Sequence, residues 1–261
     1  MKKIFTKTML MYGISALTFS ATNSFAQQVN ANQEVDNGDA KNLVKWNVAA
    51  VALKTYSFQY ERAVGKKISV AMGFRLMPKS HVPFSSTFKS LIDDDQTWES
   101  IKDFKTGNFA ITPEFRYYFG QSVFRGFYVA PFVRYAKYDV SLPYNYEATF
   151  GTTTVKDKID MKGSLNTITG GVLFGAQWKL SKAVYLDWWI LGPNYGSNSG
   201  SISGKKKLST EEQKELRDAL TDLEDLPLVK VKSTVDGDGA KIDFSGPWAG
   251  MRSGISVGYR F

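Results

Sequence analysis

Strict two-residue alternation over long runs constrains this chain more than any other feature. At the C-terminal end, Ala249, Met251, Ser253, Ile255, Val257, Tyr259 and Phe261 share one parity. Gly250, Arg252, Gly254, Ser256, Gly258 and Arg260 share the other. Successive strand side chains point to opposite faces, so this pattern predicts a strand with one apolar and one polar face. Phe109, Ile111, Pro113, Phe115, Tyr117 and Phe119 repeat it, as do Ile68, Val70, Met72, Phe74 and Leu76. Eight such runs lie near 43–53, 55–64, 67–78, 107–119, 126–140, 164–180, 183–195 and 247–261. The first is the least regular, because its stretch NVAAVAL is apolar on both faces.

Run length and spacing separate the two architectures that eight alternating strands allow. A soluble sandwich uses strands of about 5–6 residues, and several of these runs are about twice that length. The connections alternate as well, except that the one near Leu53–Lys54 is short where a long one is due. Short turns at 65–67, 120–125 and 181–183 oppose long loops near 79–106, 141–163 and 196–246. Short turns at one end and long loops at the other are the pattern of an outer-membrane barrel. The fold expected is all-β: an eight-stranded antiparallel up-and-down transmembrane β-barrel over residues 43–261, with long, partly helical extracellular loops. Its last strand must pair with its first, because an open edge in hydrocarbon leaves backbone groups unsatisfied.

The N-terminus reads as an export signal. A basic MKKIFTK is followed by a 13-residue apolar segment and by small residues at Ser24 and Ala26. Residues 1–26 are therefore expected to be removed, and the polar, Asn-rich 27–42 to form a flexible periplasmic tail. The net charge is +8. Loss of Lys2, Lys3 and Lys7 would leave about +5, which suits contact with anionic lipid. No basic stripe interleaved with aromatics points to nucleic acid. The absence of cysteine excludes disulfides, thiol catalysis and cysteine-held metal.

Aromatic residues make up 14% of the chain. Trp46, Tyr60, Phe119, Phe127, Trp178, Tyr259 and Phe261 thread near the short-turn ends of the strands. Tyr and Trp favour that level of a membrane, where an apolar ring meets a polar tip.

The stretch FQYERAVGKKISVAMGFRL, with Tyr60-Glu61-Arg62, the turn Gly65-Lys66-Lys67 and the closing GYRF, resembles a family of small outer-membrane barrels of Bacteroidetes-type bacteria. More broadly the chain is similar to eight-stranded OmpX- and OmpA-type barrels. The resemblance implies an outer-membrane location and recognition of the C-terminal strand by the barrel-assembly machinery. It implies no defined activity.

Chemistry is sought in the interior, which an eight-stranded barrel fills with its own side chains. The inward parity carries Lys45, Glu61, Arg75, Glu114, Arg116, Arg134, Lys179, Asp187, Arg252 and Arg260. Buried charges need partners, so Glu61, Glu114 and Asp187 are expected among Arg75, Arg116, Arg134 and Arg252 as an ion-pair plug. The alternative is a narrow channel or an anion site using the surplus bases. Small barrels can also act on lipid, and a Ser nucleophile needs a base. The sole histidine, His81, lies near Ser80, Ser85, Ser86 and Asp93–Asp95, and the expected reading is a bystander. The acidic triplet lacks the spacing of a calcium loop, so no metal and no cofactor are expected.

The loops carry their own signals. Ser209 and Glu212 form a capping-box signature, Leu216, Leu220, Leu223 and Leu226 recur at helical spacing, and Pro227 stops the run. The helix is expected either to pack on the loop base or barrel mouth, or to present Leu216, Leu220 and Leu223 to a partner. The segment YEATFGTTTVKDKIDM reads as a strand extension turning near Gly151. The expected whole is a monomeric, non-catalytic protein with a structural or surface-interaction role. Its expected contacts are outer-membrane lipid, lipopolysaccharide and an unidentified extracellular ligand or protein.

Overall fold

The computed structural model describes residues 40–81, 103–150, 153–224 and 229–261. The expected signal segment, most of the tail, and Ser85, Ser86 and Asp93–Asp95 lie outside the described residues. The strands are β1 (Asn42–Asn47), β2 (Tyr56–Ala63), β3 (Ile68–His81), β4 (Lys105–Tyr118), β5 (Gly126–Phe150), β6 (Thr153–Lys179), β7 (Val184–Lys205), β8 (Lys230–Asp236) and β9 (Gly239–Arg260). Among the described residues one α-helix, α1 (Thr210–Glu224), precedes β8. All pairings are antiparallel, in the order β1-β2-β3-β4-β5-β6-β7-β9-β8, and β1 also pairs with β9. The sheet therefore closes into an eight-stranded up-and-down barrel, with β8 added outside the ring along the upper part of β9.

Each of the eight runs holds one barrel strand, but several boundaries move. The first strand stops at Asn47. A 3-10 turn, Ala49–Leu53, replaces the rest of the expected run. Its cause is local: NVAAVAL has no alternation to commit it to a face, and the Asn47 side chain accepts the Ala50 N–H at 3.0 Å. Asn42, assigned to the tail, already belongs to β1. The expected loops at 141–163 and 196–246 are largely strand. β5 and β6 continue in register from Gly126↔Gln177 to Phe150↔Thr153, and β7 and β9 pair, with one register shift, from Val184↔Tyr259 to Lys205↔Gly239. At Gly239 φ is +143°, a conformation that L side chains rarely adopt, which suits glycine at the β8–β9 turn.

One irregularity reverses a face assignment. Trp189 pairs with Gly254 but Gly192 pairs with Arg252, so β7 carries one extra residue there. Tyr185, Asp187 and Trp189 point inward below this bulge, and even-numbered residues point inward above it. Strict alternation through the seventh run, with Val184, Leu186 and Trp188, predicts Ile190 on the outer face; Leu191, 44% exposed, takes that place.

The outer surface is apolar over a defined height. Exposed hydrophobic residues run from Phe109 to Phe119, Phe127 to Tyr135, Ile168 to Trp178 and Met251 to Phe261. Each stretch corresponds to about 9–11 residues, the span of a tilted membrane strand. Above it the hairpins continue outward. Helix α1 buries Leu216 and Leu220 against Ile159, Met161, Val235 and Ala240. Ile159 and Met161 have the parity of the inward-facing Thr167, Thr169 and Leu173, so α1 covers the face that continues the lumen wall. Its capping box forms as expected: Glu212 N–H donates to Ser209 Oγ at 3.2 Å, and Ser209 N–H to Glu212 Oε2 at 2.8 Å. Beside it Lys207 Nζ lies 2.5 Å from Asp238 Oδ1. That bond holds the exposed carboxyl below its usual range and raises the ammonium, but solvent screening leaves the pair little weight in stability.

Candidate functional site

The lumen is built in three layers, beginning at the short-turn end. Phe124, on the β4–β5 turn, is fully buried with Leu43 and Tyr185 and forms an apolar floor. Its φ of +64° turns the chain back into the barrel mouth. The Arg260 guanidinium lies 5.3 Å over the Phe124 ring and bonds to Tyr185 and to the Ala40 carbonyl.

Above the floor sits the charge network, and Arg116 is its hub. Its guanidinium donates to Glu114 Oε2 at 2.9 and 3.1 Å, to Asp187 Oδ2 at 2.8 Å, to Glu61 Oε2 at 3.2 Å and to Gln59 Oε1 at 2.7 Å. It also stacks 4.5 Å from the centre of the Tyr128 ring. Lys45 bridges Glu61 at 2.5 Å and Asp187 at 2.6 Å. Arg252 reaches Glu114 Oε1 at 2.6 Å while packing over Phe132 and Trp189. Neutral donors add to two of the three carboxylates. Tyr118 and Ser69 hydroxyls donate to Glu61, and Tyr128 and the Trp189 indole to Asp187. Three carboxylates thus face three cations, and all six residues are 0–9% exposed. Charge pairing and hydrogen bonding are what make such burial tolerable, since an isolated buried charge costs several kcal/mol.

The structure therefore brings Glu61, Glu114, Arg116, Asp187 and Arg252 together, and adds Lys45 as a full member. Arg75 and Arg134 differ from expectation. Neither forms an ion pair with a carboxylate among the described residues. Their register explains it: Arg75 lies opposite Ala110 and Arg134 opposite Thr169, nearer the long-loop end than Glu114. Lys179 sits at the short-turn rim opposite Tyr185. Tyr118, Tyr128 and Trp189 were missed as partners, although Tyr118 already has the polar parity of its strand and Trp189 that of Asp187. Phe124 carried no periodic signal; its only cue was an apolar pair, Val123-Phe124, inside a short turn.

Trp46, Tyr60, Phe119, Trp178, Tyr259 and Phe261 all lie exposed on the outer face. Trp178 stacks with Trp188, and Tyr259 with Phe261. His81 is exposed at the top of β3, and the Ser80 hydroxyl donates to its backbone carbonyl at 3.3 Å. On α1, Leu216 and Leu220 are packed inward against the hairpins.

Fold and interior together define a class: closed up-and-down β-barrels with a packed, charge-paired lumen. The chain belongs to the family described as "Protein of unknown function (DUF3575)", which matches residues 16–199 and so spans β1 to most of β7. No curated protein matches it. Solved structures similar to it include the N-terminal beta-barrel domain of Pseudomonas aeruginosa OprF (7% identity, 85% of this chain, 98% of that one, TM-score 0.24) and the beta domain of the Bordetella autotransporter BrkA (9%, 85%, 98%, TM-score 0.21). At these scores the fold assignment rests on this chain's own strand pairings.

Proposed function

We propose that this protein is an outer-membrane β-barrel with a structural or surface-interaction role, its lumen closed to the passage of solute and its long-loop end serving as a folded platform. The observation that carries the reading is the neutral Arg116-centred network standing on the Phe124 floor. The belt of exposed apolar residues supports the membrane setting, because soluble monomers rarely expose so large a patch. The decisive test is planar-bilayer conductance of the purified, refolded chain. No steady openings are expected; regular single-channel steps would favour the narrow-channel alternative.

Two predictions follow from the closed ring and its separate platform. Unboiled protein is expected to migrate differently from boiled protein on an SDS gel, because every barrel strand is paired on both sides. Identical migration, with recovery from the soluble fraction, would refute the membrane barrel. Residues 206–238, which hold α1 and β8, should be replaceable by a two-residue Asn-Gly turn. Lys205 and Gly239 are already register partners, so a hairpin turn can join them directly. The shortened protein is expected to refold, keep its heat-dependent migration and remain non-conducting. Failure to assemble would make the segment part of the barrel, and new openings would make α1 the seal.

A further inference from the structure

We infer that the upper lumen is a binding cup for one small dianionic oxyanion of the phosphate or sulfate type. The argument starts from charge. Glu61, Glu114 and Asp187 are matched by Lys45, Arg116 and Arg252, which among the described residues leaves Arg75 and Arg134 as two cations in excess. Arg75, Arg134 and Arg252 lie within electrostatic reach of one another. Two guanidiniums without a carboxylate, beside a third that already has Glu114, repel unless a further anion joins them.

Unused hydrogen bonds point the same way. Arg252 is 9% exposed, and its Nη1 has no partner among the described residues. The same holds for Arg75 Nε, Gln59 Nε2 and Thr169 Oγ1. Thr169 sits directly opposite Arg134, whose Nη1 donates to Thr112 at 3.2 Å. Gln59 Nε2 lies beside Gly73 and Thr112 at the same height. Guanidinium and amide nitrogens only donate, and the threonine hydroxyl can donate as well. A cluster of donors with an excess of two positive charges is complementary to a dianion with four acceptor oxygens. Water could fill the bonds but would leave the charge. Guanidinium forks match the geometry of such oxyanions, and charge-assisted bonds of this kind are the strong ones. These side chains face the lumen, so the wall of the barrel separates them from lipid headgroups; the ligand is a free solute entering from the long-loop end.

The test is calorimetric titration of the refolded, full-length chain in non-ionic detergent at constant ionic strength. Inorganic phosphate and sulfate are expected to bind saturably with one site, and chloride is not. Arg134→Gln and Arg75→Gln should each weaken phosphate binding about tenfold or more. Lys137→Gln, on the exposed outer face, should leave it unchanged. Phosphate should also raise the unfolding temperature of the unaltered protein, a readout that needs no variant to fold. Absence of saturable phosphate binding, or binding indifferent to both arginine variants, would overturn the inference. The platform reading fails separately: steady conductance with phosphate binding intact would remove that reading and leave this one standing.

Discussion

Asp187→Leu is expected to destabilise the folded barrel by about 3–5 kcal/mol, the cost of leaving buried charge uncompensated. The carboxylate receives Lys45, Arg116, Tyr128 and Trp189 at 2.6–3.1 Å. Its loss leaves two carboxylates for three cations at the centre of the plug. The pairing logic makes a sharper demand. Lys45→Met added to Asp187→Leu restores equal numbers of acids and bases, so the double variant should be more stable than Asp187→Leu alone. Urea titration in lipid vesicles, read by gel migration, measures both. A single-variant cost under about 1 kcal/mol, or additive damage in the double variant, would show that the network does not act as one balanced unit.

Val133→Arg is expected to cost about 2–4 kcal/mol of folding free energy in lipid vesicles. Val133 is 55% exposed on the outer face, within the apolar stretch of β5. The next residue is a native arginine, Arg134, pointing into the lumen. Moving the same side chain by one position exchanges a polar cup for hydrocarbon. Val133→Thr is the control for lost packing and should cost far less. Equal folding of Val133→Arg and the native chain would show that this face does not meet lipid.

Most of the ring was legible because barrels obey a single period. Eight runs of alternation gave eight strands, and parity alone placed Glu61, Glu114, Arg116, Asp187 and Arg252 inside. What parity cannot give is height. Arg75 and Arg134 share the inward face with Glu114, yet stagger between strands sets them nearer the long-loop end, where among the described residues no carboxylate reaches them. Nor can periodicity anticipate a bulge, so the upper half of β7 reversed its faces at Trp189–Gly192. Phe124 was hidden for a third reason: a turn has no period, and its ring counts as floor only once the strands around it have closed. The capping box of α1 was readable because Ser209 and Glu212 act within one helical turn. Where that helix packs depends on residues as distant as Ile159, and no local pattern encodes that choice.

The seam that closes the ring is, together with the β1–β2 pairing, its shortest. β1 meets β9 over five residue pairs, Leu43↔Arg260 to Asn47↔Ser256, whereas β5 and β6 pair over twenty-five. Backbone zipping alone would make this the place where the cylinder parts. Lys45 changes that balance from within: it sits on β1 and grips Asp187 on β7, reaching past β9 entirely. The charged interior is therefore also a clasp, and the ring comes apart in a set order. Amide protons of Val44, Trp46 and Val257 should exchange soonest among the strand residues at barrel height, and sooner still once Lys45 is replaced. A barrel fastened in this way cannot be bored out into a wide pore by trimming its interior side chains without also loosening the join that makes it a barrel.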